Sequence, residues 1–331
     1  MQEAPGAEEE DIQFECTITN QRNIRVLAAA FACLAKLGKE VSLEAQEAHR
    51  TLTLRCVNEA KTSFVSFEFR KDFFEDFAVM NPNGLTALIK IRNCLAVFRS
   101  IKTMETLTLS LMRVGGTRYV VVFRATCDHS ITKTHQFYFE DTEVVDPLFD
   151  RDSVLHRVRA RPKLLIEALR HIHGAHEISF EATSGIELKI ASQHHHQLSN
   201  QDRMVNTEMR IPEDDFEEFS ISEPKVRLIF SVKEFRALLG FCEANGVDIS
   251  DVFLLFNESG SPLMFTTASR VEDPLATVST PGPESIVQGG GRPAGHFTFT
   301  LVLATIPDNE PTEPAANTSF VADTVIPPTQ M

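Results

Sequence analysis

The chain has 331 residues, 43% of them hydrophobic and 24% charged, with a formal net charge of −14. That is enough apolar material for two packed domains of ordinary size or one large one. The longest apolar run, Val26 to Ala35, is too short to cross a bilayer, and the acidic total, taken alone, argues against a nucleic-acid partner.

The first residues, MQEAPGAEEED, are acidic and lack the basic and apolar regions of a signal peptide, so residues 1–11 are expected to be an extension. The stretch from Asn23 to Ala45 reads as a helix followed by a strand. Along that helix Arg25, Lys36 and Lys39 share a face of small alanines, with Arg22 just before it. A second helix is expected from about Arg92 to Thr103. There Arg92, Arg99 and Lys102 fall on one face, and Leu95, Val97, Phe98 and Ile101 oppose them.

Strands follow with a period of two. Leu107, Leu109 and Leu111 alternate with polar residues, Gly115 to Thr117 reads as a hairpin turn, and Phe137 and Phe139 alternate with Gln136 and Tyr138. Residues 140–160 read as an exposed connector, acidic at its start, with Val144, Val145, Leu148 and Phe149 as apolar anchors. A third helix carries Lys163 and Arg170, followed by His171 and His173 and preceded by Arg161. A fourth carries Lys233 and Arg236 opposite Phe235, Leu238, Leu239 and Cys242. The last hairpin pairs Gly260–Ser269 with Gly295–Ile306 and is interrupted by an insert at about 271–294. Loop-closure entropy tolerates such an insert, because it grows slowly with length. Thr280-Pro281 within it is a candidate proline-directed phosphorylation site. Residues 307–331 are Pro-rich and expected to be a disordered tail.

The chain repeats itself. The strands EVSLEA and EISFEA, opened by Glu40 and Glu177, match. So do KDFFEDF and EDDFEEF, and IKIRNCLAVFRSI and FSVKEFRALLGFC. They occur in the same order at offsets of about 140 residues, which marks a duplicated domain. The expected units are 12–139 and 161–306, each α+β with a large antiparallel sheet covered by two helices. All four helices turn basic residues away from their apolar stripes, although the body is acidic. Such faces suit phosphate contacts that position a protein without reading bases.

The stretches VNEAKTSFVSFEF, CLAVFRS, TKTHQFYFEDTE and VKEFRALLGFCEA resemble the Rad-nine subunit of the nine-one-one DNA-damage checkpoint clamp, of the PCNA-like sliding-clamp superfamily. The resemblance covers about Gln13 to Ile306. It implies a nuclear protein that joins two paralogues, Rad-one-like and Hus-one-like, in a 1:1:1 ring with the helices lining a central hole. It also implies a clamp loader, double-stranded DNA at recessed junctions as a sequence-independent partner, and a platform for a checkpoint activator and repair enzymes. By position, Thr134, Gln136, Tyr138 and Glu140 mark one subunit-pairing edge, and Met204, Asn206, Glu208 and Arg210 the other. Val144, Val145, Leu148 and Phe149 border a groove for partner peptides. The tail, whose hydroxyl-bearing residues are Thr312, Thr318, Ser319, Thr324 and Thr329, departs from the family's signalling tail in having no serine embedded in acids.

No catalytic residue, cofactor or metal is expected. GxxxxGK[ST], GxGxxG and HExxH are absent. His194 to His196 read as an exposed loop, and the carboxylates of 213–218 repeat the pattern of 71–77, which makes them architectural. A homotrimeric replication-type clamp of the same fold is the alternative. A 3′-to-5′ exonuclease is the weaker one, because no two-metal carboxylate set is visible. The six cysteines form no CxxC and sit in apolar runs, as reduced buried thiols do.

Overall fold

The computed structural model describes residues 10–80, 85–115, 118–141, 147, 149–150, 153–193, 206–246, 249–267 and 296–308. Within them the duplication is complete at the level of elements. The first unit runs β1 (Glu10–Ile18), α1 (Gln21–Leu34), β2 (Glu40–Gln46), β3 (Thr51–Val57), β4 (Ser63–Arg70), β5 (Asp76–Val79) and β6 (Leu85–Lys90). It continues with α2 (Ile91–Val97), β7 (Met104–Val114), β8 (Arg118–Cys127) and β9 (Ile131–Tyr138). A two-residue strand, β10 (Glu140–Asp141), follows.

The second unit repeats the order with β11 (His156–Ala160), α3 (Pro162–Arg170), β12 (Glu177–Thr183), β13 (Glu187–Gln193), β14 (Glu208–Pro212), β15 (Glu218–Ile221) and β16 (Lys225–Ser231). It ends with α4 (Val232–Ala244), β17 (Val252–Phe256), β18 (Leu263–Thr266) and β19 (Phe297–Leu303). Even the short 3-10 turn at Lys71–Phe73 has its counterpart at Glu213–Asp215.

All the strand pairs of the three sheets are antiparallel. A five-stranded sheet has the order β5-β1-β7-β8-β9, and a four-stranded sheet the order β14-β13-β12-β16. The central ten-stranded sheet runs β10-β6-β2-β3-β4-β19-β18-β17-β11-β15. Each unit therefore contributes the same two half-sheets. The four-stranded half of the first unit and the five-stranded half of the second fuse where β4 pairs with β19, from Phe69↔Phe297 to Ser63↔Leu303.

Period-two alternation sends Phe67 and Phe69 of β4 and Phe297 and Phe299 of β19 to the helix side of this joint, all buried. Phe241 of α4 packs edge-on to Phe67 at 4.8 Å between ring centroids. The opposite face carries a small apolar patch of Phe64, Met264 and Val302, with Phe149 and Leu255 packed against it.

The helices lie in one row, α2-α1-α4-α3, through successive contacts. α1 opens at Asn20, whose side chain accepts the Arg22 amide at 2.8 Å, and buries Ile24, Leu27, Ala30, Phe31 and Leu34 along one stripe. α3 starts with Pro162, whose fixed φ and missing N–H suit a first helical position. α1 and α4 meet across the joint, where the Cys33 thiol donates to the Ala237 carbonyl at 3.4 Å.

Several boundaries differ from those expected. β1 already includes Glu10 and Asp11, paired with Val114 and Arg113, so part of the presumed extension belongs to the sheet. The 140–160 connector holds β11, which pairs with both β15 and β17, so the second unit starts at His156. The helix expected over 92–103 is α2 followed by a 3-10 segment, Phe98–Thr103, that departs from helical geometry at Ser100 (φ −106°, ψ 27°). The insert at 271–294, His194 to His196 and Thr280 lie outside the described residues. Of the expected tail only Pro307 and Asp308 are described, and Asp308 pairs with Arg227 at 3.3 Å.

Candidate nucleic-acid interface and open sheet edges

The helix row presents most of the basic residues named from the sequence. Arg22 and Arg25 lie on α1, Arg92 on α2, Arg99 and Lys102 on the 3-10 segment after it, Lys163 and Arg170 on α3, and Lys233 on α4. All are exposed. Arg22 is inside α1 rather than before it, and Lys36 and Lys39 lie beyond its end at Leu34, in the turn to β2. The helix stops there because the amides of Leu37 and Gly38 fold back onto the Leu34 carbonyl. Arg25, Lys36, Arg92, Arg99, Lys102, Lys163 and Lys233 make no ion pair among the described residues. Lone charges on one surface are the form in which a polyanion is met.

Lys39, Arg170 and Arg236 are among the named cations that have partners. Lys39 pairs with Glu59; the bond lowers the Glu59 carboxyl and raises the Lys39 amine, with both groups in solvent. Arg170 sits 2.9 Å from Glu167 and 3.9 Å from Glu243. Arg236 is half-buried and donates to the carbonyls of Leu169 and Ile172, closing the C-terminal end of α3.

Sequence reasoning missed Lys90. It is exposed at the β6–α2 junction and, with Lys39 and Arg92, lines a cavity of about 470 Å³ floored by Ala35, Gly38 and Leu95. Its signal was available in the run Lys90-Ile91-Arg92, which straddles a strand end and a helix start.

Among the described residues, β9 and β14 are terminal strands of their sheets. β9 is the outer strand of the five-stranded sheet, and its exposed side carries Thr134, Gln136 and Tyr138, the last 66% exposed. β14 is the outer strand of the four-stranded sheet and carries Glu208 and Arg210, with Arg210 held by Glu187 at 3.0 Å and Glu208 at 2.7 Å. Glu140 is not on the β9 edge. It belongs to β10 and pairs with Leu88 of β6; Phe139, between the two strands, still donates its amide to Tyr119 of β8 at 3.2 Å. Asn206 precedes β14 outside any strand, and Met204 lies outside the described residues.

Of the groove residues only Phe149 is described, half-buried against the Phe64, Met264 and Val302 patch. Val144, Val145 and Leu148 lie outside the described residues.

Two carboxylates of the acidic run at 213–218 are used internally. Glu217 pairs with Arg161 at 2.7 Å and Glu218 with Arg157 at 3.3 Å. No group of three or more His, Cys, Asp or Glu side chains among the described residues is placed to hold a metal ion. All six cysteines are buried and free, and burial raises the thiol pKa of Cys33 to about 12 and of Cys56 to about 11. Among the described residues no helix is long and apolar enough to cross a membrane.

Comparison with known proteins agrees with this architecture. Two solved sliding clamps share the fold: the PCNA2–PCNA3 complex of Sulfolobus tokodaii and PCNA of Thermococcus kodakaraensis. Their TM-scores are 0.59 and 0.58, their identities 13% and 14%, and each covers 88% of this chain and 98% or 100% of the other. A cell cycle checkpoint control protein Rad9 of Drosophila melanogaster is 27% identical over 266 residues, 80% of this chain and 56% of its own length. The DNA repair protein rad9 of Schizosaccharomyces octosporus is 23% identical over 344 residues, covering 90% of this chain and 77% of its own. This chain thus spans little more than half of the fly relative. The Rad9 family model matches residues 27–278, which spans most of both repeated units, and the chain, a PCNA-like α+β clamp with antiparallel sheets and four helices, belongs to the Rad9 family.

Proposed function

We propose that this chain is a non-catalytic subunit of a heterotrimeric ring that encircles DNA in the nucleus. The observation that carries the reading is the β4–β19 joint. β4 is the counterpart of β14, and β19 the counterpart of β9, by element order and by sheet order. The chain thus already contains one copy of the pairing that its two free edges lack. An edge strand offers a ladder of unpaired N–H and C=O groups, and the same pairing between chains joins β9 of one to β14 of the next. Repeated around a closed set of chains, it pairs every β9 and every β14.

Closure of this kind extends the row α2-α1-α4-α3 into a continuous lining, with Arg25, Arg92, Arg99, Lys102, Lys163 and Lys233 turned to the enclosed polyanion. The contacts are to phosphate, so binding is independent of sequence and steeply dependent on salt. Membership in the Rad9 family supports the Rad-one-like and Hus-one-like paralogues as neighbours, a clamp loader that places the ring at recessed junctions, and an outer face that receives checkpoint activator and repair enzymes. Two of the carboxylates at 213–218, Glu217 and Glu218, are held in ion pairs with arginines.

The test is the solution mass by light scattering of the chain alone and mixed with the two paralogues. A 1:1:1 trimer that forms only in the mixture is expected. A trimer of this chain alone overturns the reading in favour of the homotrimeric replication-type clamp.

A further inference from the structure

The outer face of the ten-stranded sheet, away from the helices, holds a basin of about 550 Å³ beside β3 and the end of β4. Its floor includes Thr51 and Thr53, each 7% exposed, and its walls carry Arg50, Arg55, Arg70 and Lys71 against Glu68 and Asp72. Arg55 is committed to Glu44. The other three cations are loosely held. The Arg50 Nε is 4.0 Å from Glu47, the Arg70 Nε is 3.7 Å from Glu68, and Lys71 has no ion pair among the described residues. Exposed pairs at such distances contribute little, so a compact dianion displaces them readily. Two guanidinium forks and an ammonium around a polar floor match the oxygens of a phosphoryl group.

We propose that this basin is a phosphate-recognition site whose occupant is the chain's own 268–295 segment, phosphorylated at Thr280. Position is the first argument. The Arg70 amide donates to the His296 carbonyl at 3.0 Å, and Phe69 pairs with Phe297, so the segment rejoins the sheet at the rim of the basin. Reach is the second: Thr280 lies 16 residues before His296, a span of up to roughly 50 Å when extended. Charge is the third. Unmodified, the segment sets Glu272, Asp273 and Glu284 against Arg270 and Arg292 and is nearly neutral. A phosphothreonine adds close to two negative charges and three strong acceptors, so docking follows modification. The tether supplies the high effective concentration of an intramolecular ligand. None of this depends on ring formation.

The experiment installs phosphothreonine at position 280 of the full chain and follows its phosphorus resonance against pH. A free phosphopeptide of residues 274–287 is the reference. Cations around the phosphate favour its dianion, so the midpoint is expected about 1 pH unit below that of the peptide, whose second ionisation falls near pH 6. The shift should be independent of protein concentration. Arg70→Gln combined with Lys71→Gln should return it to the peptide value without lowering the melting temperature, and Arg50→Gln serves if that pair fails to fold. A midpoint equal to the peptide's overturns the proposal. A shift retained in the variants shows contacts elsewhere, and a shift lost on dilution shows docking between copies; each overturns it too.

Discussion

The two units are tied by a buried polar contact whose loss should be measurable. Glu234, 5% exposed in the first turn of α4, accepts from the Ser231 hydroxyl and, at 3.2 Å, from the Asn58 side-chain amide in the β3–β4 turn of the other unit. Asn58, 9% exposed, also accepts from the amides of Thr62 and Ser63 at 2.8 and 3.1 Å and donates to the Thr62 hydroxyl at 2.9 Å. A hydrogen bond to a charged group contributes about 1.5–3 kcal/mol and a neutral one about 1 kcal/mol. Glu234→Ala should then cost about 2–3 kcal/mol, and Asn58→Ala about 2–4 kcal/mol because it also loosens the turn. Since the shared bond can be lost only once, the double variant should fall short of the sum by about 1–2 kcal/mol. Urea unfolding followed by circular dichroism is the assay, because the chain has no tryptophan. Additivity within about 0.5 kcal/mol would refute the claim that this bond couples the units.

Three further outcomes are expected. Arg92→Glu with Lys102→Glu should weaken retention on DNA by the assembled ring and lower the slope of log K against log salt by about 0.9 per lost phosphate contact, with stability of the chain unchanged within about 0.5 kcal/mol. Arg236→Ala should destabilise the chain by about 1–2 kcal/mol, since two carbonyls at the end of α3 lose a charged donor. His156 is buried at 0% exposure, its Nδ1 accepts the Ser222 amide at 3.1 Å, and burial lowers its pKa below 6.5 against a smaller opposing pull from Glu223. A lowered pKa means that the unfolded chain takes up the proton first. Stability is therefore full above pH 6.5 and declines as pH falls below it, by at most about 1.4 kcal/mol per pH unit. His156→Asn, which keeps an acceptor for Ser222, should remove that slope in pH-dependent unfolding.

The duplication and the two helices per unit were legible because each is written locally, whereas the edge strands were placed only by the resemblance. Alternating phenylalanines mark the strands, and repeated stretches at a constant offset mark the units. What was not legible depends on distant partners. Arg236 reads as a solvent-facing cation on its own helix, and only the packing of α4 against α3 turns it into a helix-end donor. Ser231 and Glu234 spell a capping box, yet the carboxylate reaches Asn58, about 180 residues away, instead of a backbone amide. Lys36 and Lys39 were placed on a helix because nothing in Ala35 to Gly38 but the glycine signals its end. β11, by contrast, is written in its own residues. His156, Val158 and Ala160 alternate with arginines and are all buried, a period-two pattern that the acidic start of the connector obscured.

In the proposed ring the edges β9 and β14 repeat the strand pairing of the internal joint, but not with the same residues. On the helix side of the joint stand Phe67, Phe69, Phe297 and Phe299, none more than 8% exposed, and Phe241 packs onto three of them. At the edges the corresponding side offers Met209 and Ile211 on β14, and His135 and Phe137 on β9, of which only Ile211 is buried. The joint within the chain is therefore backed by four aromatic rings, whereas the two edges together offer one, Phe137, beside Met209, Ile211 and His135. Apolar burial stabilises at about 25 cal/mol per Å², so each ring absent from an edge weakens that join relative to the internal one. In the proposed ring the boundaries between chains are then the places that open, while the joint within each chain holds. Met209→Phe and His135→Phe in this chain, one at each of its two boundaries, should each slow subunit exchange in the assembled ring. An exchange rate unchanged by either replacement would show that the edges are held by something other than this inward packing.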